Sequence, residues 1–157
     1  MSEVVVVDMS EVKERPILAK GVYTFTFKNS KAFLVKAKAE GSDSIGLSGV
    51  LVPEGHPDDA FPMWLAINKS YSFLDAKKFF KGLGYDIETP GMFKIGGTLS
   101  TPEEVKAGTG PQATFSINGS PPKPVGFLKF KGETILETNK DNGWQQPRLN
   151  TTLGRVE

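Results

Sequence analysis

Two groups of residues in this sequence have the types and spacing to do chemistry. The first surrounds the single histidine, His56, in Glu54-Gly55-His56-Pro57-Asp58-Asp59, where imidazole and carboxylates could ligate a metal. No second imidazole and no cysteine accompany it, so a zinc site here would have to be unusually rich in carboxylates, and the segment reads as a polar loop. The second group pairs cations with aromatic rings. Lys36 and Lys38 alternate with Val35 and Ala37, and Lys129 and Lys131 alternate in step with Phe127. Trp144, Gln146, Arg148, Asn150 and Thr152 alternate opposite Leu149 and Leu153, and Trp64 stands opposite Met63, Leu65 and Ile67. Alternation at a period of two puts each set on one face of a strand. A cationic strand face carrying exposed rings can neutralise phosphates and stack on unpaired bases, at about 1–3 kcal/mol per base. The candidate contact residues are therefore Lys36, Lys38, Trp64, Phe127, Lys129, Lys131, Trp144, Arg148 and Asn150.

Catalytic chemistry finds less support. The glycines at Gly91–Gly97 and in Gly108-Thr109-Gly110 lack the Lys-Ser or Lys-Thr that a phosphate-binding loop requires. No serine stands in a nucleophile elbow, and there is no thiol. The expectation is a protein that is not an enzyme and needs neither cofactor nor metal.

The elements that must hold these residues are mostly strands. Seventeen glycines and 11 prolines fall between short apolar runs as turn punctuation. Val22–Phe27 alternates aromatic residues with threonine, and the pattern resumes at Phe33, which predicts one long strand bent at Asn29-Ser30. Ile45–Val52 and Pro62–Asn68 predict the second and third strands. A helix follows, with Ser72 as cap, Asp75 three residues on, and Phe73, Ala76, Phe80 and Leu83 at helical spacing, ending at Gly82 or Gly84. Residues 84–124 read as irregular. They contain one short helix at Pro102–Ala107, capped by Thr101 with Pro102 in its first turn, and a small strand at Ala113–Ile117. Gly126–Glu137 and Trp144–Val156 close the chain as a hairpin through Asn142-Gly143.

At 157 residues this is a single domain, with residues 1–15 as an N-terminal extension and 86–124 as an insertion. Its fold class is mainly β. Three strands, a helix and two strands are the order of a five-stranded, partly open barrel of the OB type. The apolar runs are far shorter than the roughly 20 residues that cross a bilayer, and Ser2 and Glu3 follow Met1 instead of a basic segment, so the expectation is a soluble cytoplasmic protein with no membrane partner. A net charge of +1 means that any polyanion must be held by local clustering of charge.

Gly21-Val22-Tyr23 opens the first strand and Trp64 marks the third. The helix ends in Phe79-Phe80-Lys81-Gly82-Leu83-Gly84-Tyr85, and Asn142-Gly143 precedes an Arg148-Leu149-Asn150 strand. In this order the elements resemble the small single-strand-binding proteins of bacteriophages, over residues 16–155 without most of 84–124. The resemblance implies sequence-independent binding of single-stranded DNA in phage replication or recombination, in the host cytoplasm. It also implies replication or recombination proteins as partners, and self-association as an option. Many such proteins end in an acidic tail that recruits partners, whereas this sequence ends Leu153-Gly154-Arg155-Val156-Glu157. Two other readings fit the residues: a phage structural or assembly protein, a β-sandwich with 86–124 as an interaction arm, and a sugar-binding barrel that uses its exposed tryptophans.

Overall fold

A computed structural model describes residues 3–11, 18–38, 41–70 and 73–156. The architecture is mainly β: a five-stranded antiparallel sheet, a three-stranded sheet and two short helices. The first strand, β1 (Gly21–Lys36), runs through the bend that its sequence predicts. Asn29 and Ser30 adopt φ of 56° and 54°, and the pairing with β2 (Ile45–Pro53) skips between Phe27 and Ala32. Asparagine tolerates the left-handed region better than most residues, which makes the step a natural corner. A 3-10 turn at Val125–Phe127 packs on this corner, and a Cβ on Gly126 would fall 2.0 Å from the Ser30 carbonyl oxygen, so only glycine fits.

β2 pairs with β3 (Phe61–Ala66). The first half of β1 pairs on its other side with β7 (Phe130–Thr138), which pairs with β8 (Gln145–Arg155). The sheet order is β3-β2-β1-β7-β8. Phe25, Phe27, Leu47, Leu51, Met63, Leu65, Phe130 and Leu149 face inward as one core. Helix α1 (Ala76–Gly82) lies against β8, where the Thr152 hydroxyl donates to the Phe79 carbonyl at 2.7 Å and the Phe79 ring meets Phe130 edge-on at 5.0 Å.

Four expectations need correction. Helix α1 is capped by Asp75, whose Oδ1 accepts from the Lys78 amide at 2.9 Å; Ser72 lies outside the described residues, and Phe73 precedes the helix and is exposed. A buried carboxylate that accepts the helix's free N–H groups stabilises the first turn more directly than a serine three residues earlier. Residues 84–124 are not irregular: β4 (Phe93–Gly96), β5 (Thr114–Ile117) and β6 (Lys123–Pro124) form the second sheet, with α2 (Pro102–Ala107) between β4 and β5. Phe93 and Phe115 stack on each other and pack tilted against Phe80, and the amides of Ser100 and Ala113 donate to the carbonyls of Leu34 and Ala32, so the segment folds onto the core.

The strand expected from Gly126 begins only at Phe130, and Phe127 sits in the 3-10 turn. Finally, the simple alternation along β8 fails. Extra residues at Asn150 and Leu153 bulge out of the β7 pairing, so Leu149 and Thr152 both point inward while Leu153 is exposed. Each bulge reverses the side-chain parity of the strand beyond it. The N-terminal residues Val4–Val7 are exposed. Among the described residues no helix is long and apolar enough to cross a membrane.

Candidate functional site

Strand β3 alternates as expected: Met63 and Leu65 enter the core, while Pro62 and Trp64 face out. Trp64 stands opposite Ser48 on β2, and its indole reaches across to Gly46, where a Cβ would fall 2.1 Å from its Cε2. The missing side chain lets the ring lie against the β2 backbone. The rest of the ring stays open, with Trp64 39% exposed.

That ring forms one wall of a cleft of about 670 Å³. The sheet contributes Ser48, Pro62 and Trp64, the end of β1 contributes Val35 to Lys38, and α2 contributes Pro102, Val105 and Lys106 as the facing wall. Helix α2 has only six residues and needs its ends fixed. Thr101 Oγ1 accepts from the Glu104 amide and Glu104 Oε1 accepts from the Thr101 amide, which closes a capping box. At the other end Lys31 Nζ donates to the Gly108 carbonyl at 2.6 Å and ties the helix to β1. Lys36, Lys38 and Lys106 line the cleft, and among the described residues no carboxylate lines it and none of the three lysines is ion-paired. Lys36 also acts through its charge on Asp43. Its carboxyl is held below the usual range first by a hydrogen bond from Lys69, then by the charges of Lys69 and Lys36.

A second cleft of about 260 Å³ runs between the outer strands β3 and β8, and Trp64 borders it too, facing Gln146 and Arg148. Arg148 is already engaged there: Nη1 donates to Glu137 Oε2 at 3.2 Å, and the guanidinium carbon lies 4.3 Å from the centre of the Phe73 ring. Pro62 on β3 and Pro147 on β8 flank the opening, and a strand nitrogen without a hydrogen cannot help to close it.

The structure thus brings Lys36, Lys38 and Trp64 together, joins Arg148 to them through the second cleft, and adds Lys106. No local pattern marks Lys106; its place follows from the docking of α2 on β1. The remaining expected residues line neither cleft. Trp144 is 75% exposed but belongs to the β7–β8 turn, where its amide donates to Asn142 Oδ1, and Phe127 is exposed on the 3-10 turn. Lys129 lies 3.8 Å from Glu54. Lys131 is exposed on β7, and Asn150 occupies the β8 bulge with Nδ2 3.5 Å from Glu133. His56 lies 3.7 Å from Asp59 and edge-on to Tyr23, and no group of three or more metal-ligating side chains occurs among the described residues. Comparison with protein-family models, curated proteins and solved structures returns no match.

Proposed function

We propose that this protein binds single-stranded DNA without chemistry, in the cleft between Trp64 and α2. The observation that carries the reading is a cleft in which, among the described residues, three lysines meet no carboxylate and one indole lies open beside them. A phosphate backbone needs the first feature and an unpaired base the second. The sheet order, with a helix between the third and fourth strands of the larger sheet, supports an OB-type barrel opened between β3 and β8. In that fold the face of the second and third strands and its adjoining loops take up oligonucleotides, and Ser48, Trp64 and the end of β1 occupy that region here. Phage DNA replication or recombination is the setting in which such an activity serves.

The test is binding of oligo(dT) and of duplex DNA across a salt series. Three lysines contacting phosphate give a log–log salt slope of about −2, at about 0.7 per contact. Tighter binding to the single strand, with that slope, is the expected result. Equal affinity for both forms at moderate salt removes the stacking argument, and salt-independent binding of an oligosaccharide would point instead to a sugar site.

A further inference from the structure

Phe73 is a large apolar side chain that the core does not use. It precedes α1, is 63% exposed, and carries the Arg148 guanidinium against its ring. A third cleft of about 360 Å³ opens here, lined by Phe73, Lys78, Arg148, Asn150 and Thr151 among others. Arg148 borders both this cleft and the one it shares with Trp64. A path therefore leads from the lysine-lined cleft over Trp64 and past Arg148 to Phe73.

We infer that Phe73 and Arg148 form a second subsite on this path, and that it takes an unpaired nucleobase. This rests on the single-strand reading above. A base is the fitting ligand because the Arg148 charge is already paired with Glu137, while the Phe73 ring, with Arg148 held against it, stays largely exposed as a stacking surface. The side-chain amide of Asn150 can offer donor and acceptor to a base edge at the same cleft.

The experiment compares labelled oligo(dT) of about four nucleotides, the low end of the range for one such fold, with oligo(dT) of about twelve. Trp64→Ala weakens both. Phe73→Ala leaves the short oligonucleotide unaffected and weakens the long one by about tenfold, the loss of one stacked base. Phe73→Tyr retains the affinity of the parent, and Arg148→Lys, which keeps the charge and loses the plane, behaves like Phe73→Ala. Photo-crosslinking of 5-iododeoxyuridine placed near one end of the long strand then recovers the peptide containing Phe73. If Phe73→Ala, folded by circular dichroism, binds the long strand like the parent while Trp64→Ala does not, the subsite is overturned and the single-strand reading stands. If the parent binds neither length, both fall.

Discussion

At the scale of single residues, the proposed single-strand site separates two physical terms that substitutions can read apart. Trp64→Ala removes base stacking, about 1–3 kcal/mol, and the loss persists at high salt because no charge is involved. Gly46→Ala makes the same point without touching the ring: a Cβ 2.1 Å from the indole forces it off the β2 backbone, so titration of the intrinsic tryptophan fluorescence with oligo(dT) should lose its response. Each of Lys36→Ala, Lys38→Ala and Lys106→Ala flattens the salt slope by about 0.7. Arg148→Ala weakens binding with little change in slope, because its charge is already balanced by Glu137. Trp144→Ala and Phe127→Ala, which line neither cleft, leave affinity as it was; a loss in either would move the contact surface to the β7–β8 turn or to the 3-10 turn.

At the scale of elements, α2 holds Lys106 opposite Trp64 through its two ends. Thr101→Ala costs about 1 kcal/mol of local stability, and faster hydrogen exchange in residues 102–108 should accompany weaker binding while the main sheet stays protected. By contrast, Phe79→Ala empties a fully buried contact at the centre of the aromatic core and costs about 3–5 kcal/mol in a denaturant titration. The same elements show how far the sequence could be read. β1 to β3 and the α2 cap were legible because alternation and capping chemistry are local, and Trp64 was placed by that alternation alone. The face of β8 was not, because the bulges at Asn150 and Leu153 depend on its pairing with β7. β4 and β6, at four and two residues, are too short to show a period, and their existence depends on Phe93 and Phe115 finding Phe80.

At the scale of the whole molecule, a net charge of +1 gives little long-range attraction for a polyanion. On the proposed function, association with oligo(dT) should therefore proceed without strong electrostatic acceleration, and stopped-flow association rates should respond to salt far less than the affinity does, with the salt sensitivity appearing in dissociation. A rigid duplex, whose bases are stacked on each other, offers Trp64 no free face, so the preference for single strands should widen as salt rises and the shared phosphate contacts fade.

The pairing of β1 with β7 joins Gly21 to Thr134, residues 113 apart in sequence. Closing so long a loop costs entropy before any contact compensates it, so refolding should be slow for a domain of this size, on the order of milliseconds to seconds. During synthesis, β1 to β3 can form a meander early, but the free edge of β1 waits for β7, which leaves the ribosome late. Until then Phe25 and Phe27 lack Phe130, and the nascent chain presents an unpaired, aromatic strand edge to its neighbours. A chain truncated before residue 130 should accordingly aggregate when expressed, whereas one lacking only the exposed valines near the N-terminus should fold.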